Sequence, residues 1–168
     1  MSERSAAPGD LALVESLVNT LDIESGADAL DTAEVRARFG LAEDEVEQAR
    51  ELRESLRVAL LAHAGHPPHR EVTPLGELLA SAPLLLTVDE HDGSARLAPA
   101  QAEETPLLAR TAAAVAQALV AGTWTRLKAC EAADCHWAYY DRSPAGRGRW
   151  CSMEVCGARA KMRRYRAK

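Results

Sequence analysis

The sequence predicts an α+β fold in two parts: a mainly helical body over 1–122, holding one small antiparallel β-hairpin, and a tail over 123–168 made of a hairpin and a helix. Three observations predict it. Apolar residues recur at three- and four-residue spacing through most of the first part and alternate only briefly. All four cysteines lie in the tail, within the 27 residues from Cys130 to Cys156. The charge changes sign near the same boundary. Residues 1–125 carry 9 basic and 21 acidic side chains, whereas residues 126–168 carry 11 and 4. The net charge of −5 therefore describes neither part.

The elements of the body follow in chain order. Asp10 stands where it would cap a helix over 11–21, with Leu11, Val14, Leu17, Val18 and Leu21 on one stripe. Asn19 and Thr20 lie near its end, and Ser25-Gly26 opens a loop. Thr32 caps a short helix that stops at Gly40. Residues 43–63 read as one long amphipathic helix. Val46, Ala49, Leu52, Leu56, Ala59 and Leu60 face inward, and a Glu/Arg-rich outer face meets solvent. Gly65-His66-Pro67-Pro68 ends that helix, and Thr73-Pro74 starts a short one through Ala80, with Pro74 at its first position. Residues 84–88 and 94–97 flank His91-Asp92-Gly93 and predict a β-hairpin. Thr105-Pro106 opens a last body helix, running to about Val120 and closed by Gly122.

In the tail, Trp124, Leu127 and Ala129 lead to Cys130, and Trp137, Tyr139 and Asp141 alternate after Cys135. This predicts a hairpin whose turn holds the first cysteine pair. Ser143-Pro144-Ala145-Gly146 makes a loop, residues 148–151 return as a strand, and a helix runs from about Met153 to Tyr165. Ala158, Met162 and Tyr165 share one face of that helix, among Arg159, Arg163, Arg164 and Arg166.

The cysteine pattern, C-x4-C-x15-C-x4-C, suits a tetrahedral Zn2+ site formed by Cys130, Cys135, Cys151 and Cys156. Two disulfides are the first alternative, but they belong to exported proteins. Redox chemistry is the other. About 45 residues are too few for an independent core without such a staple, so metal binding and folding of the tail are expected to be one event. Four thiolates on one zinc ion would lower the tail's charge from +7 to near +5, still basic. With Cys151 at a strand end and Cys156 near a helix start, the arrangement resembles a treble-clef finger.

These residues closely resemble the CGNR zinc finger family. The chain has Cys130-x4-Cys135, then Trp137-Ala138-Tyr139-Tyr140-Asp141-Arg142-Ser143. It continues with Arg147-Gly148-Arg149-Trp150-Cys151-Ser152-Met153 and Cys156-Gly157-Ala158-Arg159. The agreement spans about 124–166. One departure is Ala158, where the family has Asn, so the role of that amide is open in this chain. In that family the finger follows a domain named ABATE, labelled a stress-induced transcription regulator. The first part resembles it more loosely, through Val18-Asn19-Thr20-Leu21 and the order of helices and hairpin. The resemblance implies a bacterial-type, stress-related DNA-binding transcription regulator with a sensing N-terminal domain (1–122) and a CGNR-type finger (123–168).

Composition bounds the function classes. The first ten residues lack the basic and apolar regions of a signal peptide, and the greasiest stretch, 78–88, is broken by Ser81 and Pro83 and too short to span a bilayer. A cytoplasmic protein without a membrane partner is expected. No G-x-S-x-G elbow, phosphate-binding glycine loop or H-E-x-x-H motif is present, and the metal accounts for every cysteine, so the chain does not read as an enzyme.

Phosphate contact by Arg142, Arg147, Arg149, Lys161, Arg163, Arg164, Arg166 and Lys168 is the reading of the basic tail, with DNA or RNA as partner. Arg159 reads as structural, paired with a carboxylate such as Asp141. Trp137, Tyr139, Tyr140 and Trp150 could stack on bases, although a small finger also needs aromatics around its metal, which is the better account of Trp137 and Trp150. His136 adjoins a ligand but faces a filled tetrahedron, and His63, His66 and His69 read as surface histidines rather than a second metal site. The alternatives are a protein-interaction finger docking on an acidic surface, or an oxidant-sensitive zinc switch. A homodimer and an unknown effector for the N-terminal domain complete the expectations.

Overall fold

A computed structural model describes residues 6–100 and 105–167 of the chain. Three helices carry the body: α1 (Leu11–Val18), α3 (Val46–His63) and α5 (Leu107–Val120). Between them lie two short helices, α2 (Ala33–Phe39) and α4 (Leu75–Leu79), and an antiparallel hairpin of β1 (Leu84–Val88) and β2 (Ala95–Pro99). The tail contributes a second antiparallel hairpin, β3 (Leu127–Ala129) and β4 (Ala138–Tyr140), then one π-helical turn (Met153–Gly157) leading into α6 (Ala158–Arg166). Among the described residues no helix is long and apolar enough to cross a membrane.

One apolar core joins these pieces. Val14, Leu17 and Val18 of α1, Leu52, Leu56 and Leu60 of α3, and Ala114, Val115 and Ala118 of α5 meet there. Leu127, Ala129 and Ala138 enter the same cluster, so the β3–β4 hairpin packs against α1 and α3. Fully burying each such leucine contributes roughly 1.5–3 kcal/mol.

Local signals place α2 as expected. The Thr32 hydroxyl accepts from the Val35 amide at 3.4 Å, and Gly40 closes the helix at φ +67°, a conformation open to glycine at little cost. The hairpin pairs Leu84 with Pro99 and Val88 with Ala95, two residues further along β2 than the expected run. Pro74 and Pro106 sit at the caps of α4 and α5 rather than inside their first turns.

Three expectations are corrected. First, α1 stops at Val18 instead of reaching Leu21, and Asp10 makes no side-chain cap bond. Asn19 leaves the helix because its amide pairs with β4: Nδ2 donates to the Ala138 carbonyl at 3.0 Å, and the Ala138 amide donates to Oδ1 at 2.7 Å. Second, 43–63 begins as a 3-10 turn (Glu43–Glu45), and the polar face of its C-terminal half is not solvated. Arg53, Glu54 and Arg57 are 4%, 3% and 0% exposed, because the tail's hairpin and the chain after α3 cover them. Third, residues 148–151 form no strand. The Gly148 amide is taken by the Asp141 carboxylate, which among the described residues leaves a single backbone bond, from the Glu131 amide to the Arg149 carbonyl.

Candidate metal centre

The four cysteine sulfurs converge at the end of the β3–β4 hairpin. Cys130 follows β3, Cys135 precedes β4, Cys151 ends the extended segment and Cys156 lies in the π-helical turn. All four Sγ atoms lie within 4.8 Å of one another, with Cys135 to Cys151 at 3.6 Å and Cys151 to Cys156 at 3.7 Å. Those separations are far beyond a disulfide of about 2.05 Å. They match the edge of a tetrahedron with sulfurs about 2.3 Å from a central zinc, which is about 3.8 Å. Cys130 and Cys156 are buried, and Trp150 packs beside the cluster with Ala132.

Protonated thiols are what this geometry favours without a cation. Hydrogen bonds from Cys130 and Cys151, then burial, push the Cys135 thiol far up, and burial with the neighbouring sulfurs pushes Cys156 up to about 12. A divalent cation reverses that preference, so loading the site expels protons. The donor set is all sulfur, tetrahedral in spacing and closed by protein. It fits Zn2+ in a structural role, with Cys130, Cys135, Cys151 and Cys156 as the residues that would hold it.

The surrounding polar groups fix the loops that carry the cysteines. Asp141 Oδ1 accepts from the Ser143 amide at 3.0 Å, and Oδ2 accepts from the Gly148 amide at 2.7 Å and Lys128 Nζ at 2.9 Å. Lys128 also donates to the Gly146 carbonyl, and Arg126 to those of Ser143 and Pro144, so both basic residues grip the 141–148 loop. A Cβ on Gly148 would lie 3.0 Å from the Asp141 carboxylate, so a side chain there would push the carboxylate back by a few tenths of an ångström. Burial alone would raise the Asp141 pKa. The donors from Ser143, Lys128 and Gly148 outweigh it and hold the group well below the usual carboxylate range. Asp141→Asn preserves the shape but removes the charge beside a buried ammonium. A loss of about 1–3 kcal/mol is expected in denaturant melts of the zinc-loaded chain, and Lys128→Met in the same background should recover part of it.

A second set of bonds ties the cysteine knuckle to α3. Arg57, fully buried, donates to the His136 carbonyl at 3.0 Å, the Val18 carbonyl at 2.8 Å and Glu54 at 3.3 Å. His136 itself adopts φ +46°, and its Nδ1 donates to the Cys130 carbonyl at 3.0 Å. That ring is engaged as a brace rather than a ligand. His63, His66 and His69 are half-buried instead of surface-exposed, and each faces a different partner. His63 donates to the Leu127 carbonyl and meets Trp124 edge-on at 4.8 Å, His66 lies 3.7 Å from Glu131, and His69 bonds Glu54 at 2.9 Å. Among the described residues only the cysteine quartet gathers three or more ligand-type side chains.

The basic residues divide. Arg142 donates to the Ala6 carbonyl and lies over Tyr140, and Arg149 pairs with Glu131 and lies over Trp150. Arg163 is 3.6 Å from Asp134. Arg159 pairs with Glu24 at 3.1 Å and approaches Asp134 at 3.9 Å, not Asp141 as its sequence position suggested, because the first turn of α6 faces the body's acidic loop. Arg147, Lys161, Arg164 and Arg166 are exposed and make no ion pair among the described residues. Lys168 lies outside the described residues. Tyr139 is buried, whereas Trp137 stays 36% exposed and does not join the cluster at the sulfurs.

Comparison with known families agrees with this anatomy. Curated proteins give no significant match to the chain. The family described as CGNR zinc finger matches residues 126–168. The family ABATE, described as "Putative stress-induced transcription regulator", matches residues 11–122, two thirds of the sequence. With a sulfur quartet fitted to zinc at one end and that match over the helical body, the chain belongs to the ABATE family and carries a C-terminal CGNR zinc finger.

Proposed function

We propose that this protein is a DNA-binding transcription regulator with an acidic sensing part, about 1–122, and a finger, about 123–168, that holds α6 against the phosphate backbone. The observation that carries this reading is the state of α6. It is exposed along its length, its main packing partner is the π-helical turn before it, and Lys161, Arg164 and Arg166 have no ion-pair partner among the described residues. A cationic helix displayed from a rigid metal-clipped base is suited to releasing counterions from a polyanion. Zinc, held by Cys130, Cys135, Cys151 and Cys156, supplies no chemistry here beyond fixing the loops. The body offers an effector a polar cleft of about 460 Å³, with Arg50, Arg53 and Arg70 facing Glu47, Glu51 and Glu71.

The test is a salt titration of binding to duplex DNA by fluorescence anisotropy. Replacing Lys161, Arg164 and Arg166 with Ala should weaken binding and flatten the log–log salt dependence by roughly 0.9 per lost phosphate contact. Equal affinity and slope in wild type and variant would remove the assignment.

A second reading rests on a separate observation. Met153, Val155, Met162 and Tyr165 are exposed beside the basic side chains, at 72%, 49%, 51% and 78%. Such a mixed surface also suits an acidic protein partner. Under that reading Met162→Ser and Tyr165→Ser abolish partner capture, while the protein shows no salt-dependent affinity for DNA.

A further inference from the structure

We propose that the outer edge of β1 pairs with the same edge of a second copy of this chain, joining two hairpins into a four-stranded antiparallel sheet. The hydrogen-bond phase of the hairpin defines that edge. The Asp89 amide bonds the Ser94 carbonyl at 2.8 Å and the Ala100 amide bonds the Pro83 carbonyl at 3.2 Å. With the observed register, Leu85 and Thr87 therefore turn their backbone groups toward β2, and Leu84, Leu86 and Val88 turn theirs away.

The hairpin's two edges differ. On β2 the outward positions are Ala95, Leu97 and Pro99. Proline has no donor to leave unpaired, the Leu97 carbonyl accepts from Gln117 of α5 at 3.4 Å, and α5 packs along the strand. On β1 no hydrogen bond reaches the outward groups among the described residues. The strand Leu84-Leu85-Leu86-Thr87-Val88 has no charge, proline or bulge, which are the usual guards of an open edge. Leu85, Leu86 and Val88 are 54%, 67% and 58% exposed.

A second copy is the occupant that this edge fits by symmetry. Antiparallel pairing about a two-fold axis at Leu86 sets Leu86 against Leu86 of the second copy, and Leu84 against its Val88. Every outward donor and acceptor of the strand is then used, with both copies contributing the same patch. Charge selects the same arrangement. The acidic tip, Asp89, Glu90 and Asp92, passes beside the uncharged Ala82-Pro83 of the other copy, whereas parallel pairing would set tip against tip. A contact made by one five-residue strand is small beside the roughly 800 Å² per partner of a standard stable interface. A reversible, concentration-dependent dimer is expected. This inference does not depend on what α6 binds.

The test uses the full zinc-loaded chain in sedimentation velocity from low micromolar to near-millimolar concentration, with amide exchange measured at both ends of the range. The expected result is a monomer–dimer equilibrium in which the Leu84, Leu86 and Val88 amides gain protection with concentration, while Leu85 and Thr87, already bonded to β2, do not change. Leu86→Lys, which sets two ammonium groups at the axis, should weaken the dimer by about tenfold or more and leave the far-ultraviolet spectrum unaltered. A chain that stays monomeric throughout overturns the proposal, leaving the edge to a strand from another protein. So does a dimer that survives Leu86→Lys, or one formed without protection at these three amides.

Discussion

Stripping zinc from the purified chain is expected to unfold everything beyond β4 while α1, α3 and α5 keep most of their helix. Past Tyr140 the apolar packing is thin. Cys130, Ala132 and Cys156 are the buried members of the only cluster there among the described residues, and α6 buries no side chain fully. What holds that segment is the sulfur quartet, the Asp141–Lys128 pair, the Arg126 and Lys128 bonds to loop carbonyls and a few exposed ion pairs, and exposed pairs contribute little. A structural zinc site contributes on the order of 10–16 kcal/mol in isolated fingers at neutral pH, far more than any of these contacts. The β3–β4 strands are a different case, because Leu127, Ala129 and Ala138 sit in the main core. The melt should therefore stop near β4 instead of running through the body. Chelator-treated protein should lose the helical signal of α6, shift Trp150 fluorescence to the red and expose four titratable thiols. Cys151→Ser should reproduce the helix loss and the red shift, with its three remaining thiols titratable. Metal-free protein with slow thiols and an unchanged amide-exchange pattern beyond Tyr140 would contradict this account.

That boundary shows which parts of the molecule are legible in sequence. The limits of α2 were, because Thr32 and Gly40 act on backbone groups within four residues of themselves. The quartet was, because ligand spacing reflects a local demand of the metal and needs no knowledge of the rest of the fold. Partners set by docking were not. Arg159 finds Glu24, 135 positions away, only because the tail lies on the body in one particular way. The same contact hid the nature of α3. Its polar face looks solvated by pattern, since Arg53, Glu54 and Arg57 recur at the spacing of an ordinary exposed stripe. It is buried because the tail's hairpin covers that stripe. One signal was available: a face carrying charges of both signs at i and i+3, beside histidines in a proline-stiffened loop, is equipped to satisfy itself when covered.

That buried network is where a single substitution should do the most damage after loss of the metal. Arg57 has three acceptors on three elements, the end of α1 at Val18, Glu54 of α3 and the knuckle carbonyl of His136. Arg57→Met keeps much of the volume but strands all three, and a cost of about 3–5 kcal/mol is expected. Glu54 answers for the same charge from the other side. Burial would raise its pKa, but the bond to His69 and the Arg57 and Arg53 guanidiniums outweigh that and bring it down to about 2. A carboxyl depressed in the folded state adds stability above its unfolded pKa and loses it as pH falls through the folded value. The Glu54 contribution should thus be intact at neutral pH and fade between about 4.5 and about 2. In Glu54→Gln that segment of the acid-unfolding curve should flatten. If the network acts as one unit, Arg57→Met and Glu54→Gln together cost less than the sum of the two alone. Arg57→Met should also release zinc faster to a competing chelator, since the carbonyl it loses belongs to the residue after Cys135. Additive losses with unchanged zinc release would mean that the strut stabilises the body without reaching the metal centre.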